Sequence, residues 1–160
     1  MTSTSAVLRT AYERDGFVAI EGLVGPDEVA ALNAEAVAVA RGERGAVLGA
    51  APSTGDDASA IANVLALHFP HKLSPVIRAA MRLPAIVEVL TALLGPNVKA
   101  MQTMLFVKRA GKPGQAWHQD EHFIPTRDRS LVGVWIALDD ATIENGCLWM
   151  HPGSHAAGVL

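Results

Sequence analysis

The spacing of the apolar residues changes near residue 96, and this change limits the folds open to the chain more than any other feature. Over residues 1–95 most apolar segments have helical spacing between Pro and Gly boundaries, with one short strand and one loop among them. Over residues 96–160 they form short runs separated by Gly, Pro and Asn turns, which is typical of strands. Helices followed by strands predict an α+β domain whose functional part is an antiparallel sheet.

Local signals predict individual elements on both sides of this boundary. Proline in a first turn and glycine after a last turn mark helix ends, and Asn-Gly marks a hairpin turn. One helix is expected to end at Asp15, one to run from Pro26 to near Gly42, one to begin at Pro75 and one to run from Pro84 to Leu93. A loop is expected over residues 42–60, and strands are expected over residues 17–20, 98–108, 117–123, 131–138 and 147–150.

Charge and composition exclude several classes of function. The chain has 160 residues and a formal net charge of −3 without a basic cluster, so neither nucleic acid nor an anionic membrane is an expected partner. No apolar run approaches the roughly 18 to 20 residues of a membrane-spanning helix, and the first residues lack the features of a signal peptide. Cys147 is the only cysteine, so no internal disulfide forms and we expect a soluble, cytoplasmic protein.

His118-Gln119-Asp120 is the motif that points to chemistry. In a strand, residues two apart project from the same face, so the imidazole of His118 and the carboxylate of Asp120 are expected to lean toward one point. A histidine and a carboxylate are two of the three ligands of the 2-His-1-carboxylate triad that holds non-haem Fe(II). A lone His-x-Asp recurs by chance in many proteins, so its surroundings decide its meaning.

The blocks around this motif resemble one family. In chain order they are Trp117-His118-Gln119-Asp120, Ile124-Pro125-Thr126, Val134-Trp135-Ile136-Ala137-Leu138-Asp139, Asn145-Gly146-Cys147-Leu148 and Pro152-Gly153-Ser154-His155. Upstream segments that agree with them are Tyr12, Asp15-Gly16-Phe17 and Leu94-Gly95-Pro96-Asn97. Over nearly its whole length the chain is similar to the phytanoyl-CoA dioxygenase family. Several ordered blocks are far more specific than His-x-Asp alone.

The resemblance implies a fold, cofactors and site residues. Members of that family are Fe(II)- and 2-oxoglutarate-dependent oxygenases built on a double-stranded β-helix, a cupin-like jelly roll, so this fold is implied here after the N-terminal helices. The resemblance implies that His118 and Asp120 bind iron, and that Gln102, Met104 and Trp135 lie near the 2-oxoglutarate pocket. The implied reaction uses O2 to hydroxylate a small or acyl-type organic substrate, while 2-oxoglutarate is decarboxylated to succinate.

The remaining site residues of the family come late in its sequence. A third ligand, a histidine, follows the aspartate by several tens of residues, and an arginine that binds 2-oxoglutarate comes shortly after it. Here 40 residues follow Asp120, and no Arg or Lys occurs after Arg129. We therefore expect the N-terminal portion of an oxygenase with an incomplete β-helix, whose open sheet edge favours self-association.

Other interpretations of the same residues stay open. His122 offers a third ligand for a zinc-dependent hydrolase, although four residues of strand span about 13 Å, so the site would need a sharp bend. The later imidazoles, those of His151 and His155, are further candidate metal ligands. Lys72 and Lys108 are cations that could hold a carboxylate. A further alternative is a catalytically silent fragment that associates with itself or with a partner.

Overall fold

The computed structural model describes residues 4–46, 48, 55–62, 64–109, 111 and 113–159. Its helices are α1 (Thr4–Asp15), α2 (Pro26–Ala40), α3 (Asp57–Ala62), α4 (Pro75–Ala80), α5 (Pro84–Leu94) and the single turn α6 (Asp120–Phe123). Two 3-10 turns lie at Pro70–Lys72 and Ser154–Ala157, and two strands, β1 (Ala66–His68) and β2 (Met104–Phe106), form an antiparallel sheet. None of the described helices is long and apolar enough to cross a membrane. The combination of helices and sheet confirms an α+β chain.

The helices begin and end where the local signals predict. Proline occupies the first turn of α2, α4 and α5, where its missing N–H costs no hydrogen bond. Ser74 caps α4, because its side chain accepts a hydrogen bond from the backbone N–H of Ile77 at 3.0 Å. Gly16 and Gly95 follow α1 and α5 with φ angles of 82° and 99°, which glycine adopts at little cost. These predictions are confirmed because each depends on neighbouring residues only.

The hydrophobic core lies between α2, α4 and the sheet. Its buried members are Leu32, Val39, Ala40, Val64, Leu67, Ile77 and Ala80. Leu105 of β2 packs against them from the sheet. Leu138, from the later part of the chain, also packs against them. α1 packs against α5. Burying one such leucine contributes about 1.5 to 3 kcal/mol, so this cluster dominates the stability of the helical part.

An ion pair joins the buried Glu35 of α2 to Arg44, whose side chain is 41% exposed. Glu35 of α2 is 5% exposed, and its carboxylate accepts hydrogen bonds from the guanidinium of Arg44 at 2.8 and 3.0 Å. Ser74, at the start of α4, also contributes to lowering the pKa of this carboxyl. The bonds from Arg44 hold the pKa of Glu35 below its ordinary value, against burial, which by itself would raise it. The pair therefore joins α2, the turn after it and the start of α4.

The register of the sheet decides which strand residues face away from the core. The strands pair Ala66 with Phe106, Leu67 with Leu105, and His68 with Met104. Leu67 and Leu105 face the core, so their neighbours project to the opposite side. Met104 and Phe106 are accordingly 37% and 51% exposed.

Most of the predicted strands are absent from the described residues. No strand forms over residues 17–20, 131–138 or 147–150, and the strand predicted over 98–108 is reduced to β2. Residues 117–123 are not a strand either. Gln119 has an extended backbone, but Asp120–Phe123 directly after it is helical. A strand exists only where a neighbour exchanges backbone hydrogen bonds with it, and within the described ranges only β1 and β2 have such a partner. In this part of the chain the double-stranded β-helix is therefore not seen.

The loop predicted over residues 42–60 falls partly outside the described residues, which omit 47 and 49–54. At its end the prediction is wrong, because α3 begins at Asp57. Asp56 accounts for this helix start: its side chain accepts a hydrogen bond from the backbone N–H of Ser59 at 2.8 Å, as an N-cap residue does.

Replacing Glu35 by Gln tests what the ion pair contributes. The substitution keeps the shape of the side chain and removes its charge, so we expect the free energy of unfolding at pH 7 to fall by about 2 kcal/mol. Because the folded-state pKa of Glu35 is lowered, its stabilising effect is present above the ordinary pKa and is lost as the pH falls through the folded-state value. Urea unfolding should therefore show the gap between wild type and E35Q closing below about pH 4.5.

The matched control is Glu88→Gln, an exposed glutamate on α5. This change should alter the free energy of unfolding by less than about 0.5 kcal/mol at either pH. A deficit of E35Q that is the same at pH 7 and at about pH 3 would contradict the assignment of the effect to the Glu35 charge.

Candidate metal centre and adjoining cleft

His118 and Asp120 converge, as the motif predicts, although they do not share a strand. The Nε2 atom of His118 lies 3.4 Å from an Oδ atom of Asp120. Gln119 between them has extended φ and ψ angles of −116° and 129° and precedes the helical turn that Asp120 begins. One extended residue is sufficient to place its two neighbours on the same side of the backbone. The local pleat, without a sheet, thus brings the two side chains together.

The tautomer of His118 follows from its second nitrogen. Nδ1 lies 2.7 Å from the backbone oxygen of Ala116. A carbonyl oxygen can only accept a hydrogen bond, so Nδ1 carries the proton and donates it. In the neutral ring Nε2 then has a free lone pair, and this atom faces Asp120. Metal-binding histidines are commonly oriented by this kind of bond from the non-ligating nitrogen to a carbonyl.

The spacing of the two donor atoms suits a metal ion. Two donors that each lie about 2.1 Å from one first-row ion are about 3.0 to 3.4 Å apart at ligand angles of about 90 to 109°. The observed separation is 3.4 Å, so both atoms could bind one ion without moving. The side chains are 34% and 58% exposed, which leaves the outer side of the pair open to further ligands. Among the described residues, no third His, Cys, Asp or Glu joins them in a metal-binding group.

Glu121 anchors the segment that follows the pair. Its carboxylate accepts hydrogen bonds from the hydroxyl of Thr126 at 2.7 Å, from the backbone N–H of Thr126, and from the backbone N–H of Leu131 at 3.0 Å. These bonds, above all the one from the Thr126 N–H, hold the pKa of Glu121 below its ordinary value. The ionised side chain therefore pins residues 126 to 131 against the turn that contains Asp120.

Gly133 permits the close approach of the Asp120 carboxylate. A Cβ atom at position 133 would lie 3.2 Å from Oδ2 of Asp120, closer than most such contacts. Glu121 and Gly133 were both missed by the sequence reasoning. Their roles depend on which loop folds over the motif, and no pattern in the sequence carried that information.

The Pro-Gly-Ser-His block docks on the end of α1. The N–H of Gly153 donates to the backbone oxygen of Asp15 at 2.9 Å, and Nε2 of His155 donates to that of Glu13 at 3.0 Å. Both carbonyls belong to the last turn of α1, where no helical N–H is available to them. Gly16 lies directly beneath the ring, because a Cβ atom there would be 2.5 Å from Nδ1 of His155. His155 thus holds the block against α1 through these contacts.

Gln119 links this docked turn to the candidate metal centre. Its side-chain amide donates to the backbone oxygen of Gly158 at 3.0 Å. The residue between His118 and Asp120 is therefore held by the same C-terminal turn that caps α1.

A cleft of about 440 Å³ opens beside His118. Six residues line it: Trp117, His118, Gln119, Met150, His151 and Ser154. They come from the motif and from the segment around the Pro-Gly-Ser-His block, which are about 30 residues apart in sequence. The volume is within the range of small-molecule sites, which is about 300 to 1,000 Å³.

The residues predicted to bind 2-oxoglutarate lie outside the lining of this cleft. Gln102 is half-buried before β2, and Met104 begins β2 opposite His68. Trp135 is 53% exposed in the segment where a strand was predicted. Their role as a cosubstrate pocket stays a prediction.

The other candidate side chains are engaged elsewhere. The ring of His122 packs against the ring of Phe123 at 5.0 Å, and His118 contacts the same phenyl ring at 5.8 Å. Lys72 places its ammonium 4.5 Å from the ring of Phe69, a cation–π contact. Lys108 runs along the backbone of Gly146 and lines a second cleft of about 350 Å³ with Arg109 and Glu144.

Comparison with known proteins identifies the family. A sequence model described as Phytanoyl-CoA dioxygenase (PhyH) matches residues 12–159. The chain belongs to the phytanoyl-CoA dioxygenase family. This finding confirms the resemblance that the ordered blocks indicate, and it establishes an oxygenase family for the chain. No solved structure is significantly similar to it.

Three relatives show how this member of the phytanoyl-CoA dioxygenase family compares with others. Phytanoyl-CoA dioxygenase of Arabidopsis thaliana is 36% identical over 94 residues, which cover 58% of this chain and 33% of the relative. Peroxisomal phytanoyl-CoA dioxygenase of Rattus norvegicus is 32% identical over 164 residues, covering 92% and 46%. L-proline trans-4-hydroxylase of Streptomyces griseoviridis is 34% identical over 155 residues, covering 93% and 54%. The chain thus spans between 33% and 54% of the length of these relatives.

Replacing Gly16 by Ala tests the docking of His155 on α1. Alanine at a φ of 82° is strained and its Cβ would displace the imidazole, whereas Gly22→Ala introduces similar strain at a φ of 66° with no atom within 4 Å. We expect G22A to cost about 1 to 2 kcal/mol of unfolding free energy and G16A at least about 1 kcal/mol more. Chemical denaturation of both variants measures the difference.

A double-mutant cycle isolates the contact. If His155 meets Gly16, the variant G16A/H155A should lose less stability than the sum of the two single variants. Additive losses, or equal losses for G16A and G22A, would show that the C-terminal turn does not sit on α1 in solution.

Proposed function

We propose that the chain is part of a non-haem Fe(II)- and 2-oxoglutarate-dependent dioxygenase that hydroxylates a small or acyl-type organic substrate. One observation carries the proposal: in a chain of this family, Nε2 of His118 and a carboxylate oxygen of Asp120 lie 3.4 Å apart, with the Nδ1–H of His118 donating to Ala116. A mixed nitrogen and oxygen donor set with open positions is what Fe(II) oxygenases use.

The side chains of the proposed site have different roles. His118 and Asp120 would hold the iron, and Gln102, Met104 and Trp135 would bind 2-oxoglutarate, with the β-helix completed around them. When bound, the iron with 2-oxoglutarate and O2 supplies the oxidant that hydroxylates a C–H bond. Glu121 and Gln119 keep the two ligands in place, because one pins the loop after them and the other joins them to the C-terminal turn.

The zinc-dependent hydrolase is not favoured. It would need His122 as a third ligand, but the ring of His122 packs on Phe123. A hydrolytic zinc site normally has three protein ligands and a bound water.

Self-association is a second candidate function, because the later part of the chain exposes large apolar side chains. Trp117, Phe123, Ile143 and Trp149 are between 63% and 70% exposed. Large apolar side chains that are this exposed occur at binding surfaces, where a partner covers them. β2 also pairs with β1 alone, so within the described residues one of its edges has no neighbouring strand. We propose that a catalytically silent form would associate through this surface.

Metal titration tests the first proposal. Mn(II) is titrated into the protein as a paramagnetic substitute for Fe(II), and anaerobic Fe(II) titration gives the comparison. His118→Ala and Asp120→Ala should each weaken metal binding at least about tenfold, since each removes one ligand. His122→Ala is the matched control and should bind the metal like the wild type, because its ring faces Phe123. Equal losses in all three variants, or none in the first two, would contradict the assigned ligands.

Analytical ultracentrifugation tests the second candidate. We expect concentration-dependent oligomers whose dissociation constant rises about tenfold in Trp149→Ser, because a 63% exposed indole is removed from the surface. Val7→Ser removes a 58% exposed apolar side chain from α1 and should leave the constant unchanged. A monomer at every concentration would exclude self-association.

A further inference from the structure

The cleft beside His118 presents hydrogen-bond donors and no acidic side chain. Ser154 carries an O–H, and Trp117 and His151 carry N–H groups. The imidazole of His151 and the hydroxyl of Ser154 make no hydrogen bond to another described residue, so both are available to a ligand. Gln119 in contrast gives its amide to Gly158. Donors without acidic acceptors favour a ligand group that accepts hydrogen bonds, such as a carboxylate.

The rest of the lining is apolar. Met150 and Trp117 are apolar lining residues that a saturated carbon chain could contact. At about 440 Å³ the cleft holds a small molecule, and the nucleotide of a coenzyme A thioester would have to remain outside it. His118 is one of the lining residues, so a ligand that fills the cleft lies next to the candidate metal ligands.

This cleft is distinct from the other candidate ligand regions. Gln102, Met104 and Trp135, which we propose for 2-oxoglutarate, do not line it. The second cleft, with Lys108 and Arg109, is also separate and has no residue in common with it. The cleft beside His118 therefore suits the molecule that is oxidised rather than the cosubstrate.

We propose that this cleft binds the substrate to be hydroxylated, a small aliphatic carboxylate, and that His151 determines this specificity by donating a hydrogen bond to the carboxylate. Ser154 supports the same group, while Trp117 and Met150 cover the carbon chain. The assignment of the bound molecule as the oxidised substrate rests on the proposed function. The binding itself does not, since it needs only the side chains of the cleft.

Fluorine NMR of the full chain gives a readout that is independent of activity. The protein is labelled with 5-fluorotryptophan at Trp117, Trp135 and Trp149, and the Trp117 resonance is assigned with Trp117→Phe. Hexanoate is the probe, and 1-hexanol is the matched ligand that lacks the carboxylate. We expect hexanoate to shift the Trp117 resonance with an affinity about tenfold above that of hexanol, and 2-oxoglutarate not to compete with it.

Variants of His151 test its role as the specificity determinant. His151→Ala should weaken hexanoate binding about fivefold to tenfold and hexanol binding clearly less, because a hydrogen bond to a charged carboxylate is stronger than one to a neutral hydroxyl. His151→Gln keeps an N–H donor and should restore most of the affinity. His122→Ala, an exposed histidine outside the cleft, should behave as the wild type.

Several outcomes would overturn the proposal. They are a hexanoate shift confined to Trp135 or Trp149, displacement of hexanoate by 2-oxoglutarate, and H151A binding hexanoate as tightly as the wild type. Failure of the oxygenase proposal would look different. His118→Ala and Asp120→Ala would then leave metal binding unchanged, while the Trp117 shift and its dependence on His151 persisted.

Discussion

Hydrogen bonds between residues far apart in sequence hold the later part of the chain to its helical part. Asn33 of α2 donates to the backbone oxygen of Leu138 at 2.8 Å, across 105 positions, and His155 donates to that of Glu13 at 3.0 Å, across 142 positions. In the described residues a sheet of only two short strands adds to these links. Each bond contributes about 1 kcal/mol, so the arrangement of the later part depends on a few contacts and on Leu138 in the core.

The candidate site depends on the same contacts. The turn that caps α1 also accepts the amide of Gln119 and supplies Ser154 to the cleft, so α1, the motif and the cleft wall are mechanically connected. The His118–Asp120 geometry itself is local, since one extended residue produces it. The two side chains can thus stay close together although the surrounding sheet is small, but the walls of the cleft need the long-range contacts.

The two halves of the chain differ in how far they could be predicted. Ser74 and Gly95 set helix ends through bonds to residues three or four positions away, and Pro84 sets one because it has no N–H, so their effect is legible in the sequence. Residues 131–138 have the composition of a buried strand, but a strand also needs a partner at the right distance. The prediction of a strand over 117–123 is wrong for a related reason: Asp120 and Glu121 begin a helical turn, and no neighbouring strand competes for the backbone.

By itself the sequence determined the helical part, the family and the convergence of His118 with Asp120, because capping, ordered motif blocks and the alternation of an extended backbone all act over short distances. Only the tertiary structure decided that Glu121 pins the following loop, that Gly133 passes beside Asp120, and that His151 and Ser154 share a cleft with His118. These juxtapositions arise when distant segments pack on one another. The contacts that stabilise them form only when the chain is packed, and no local pattern of residues predicts them.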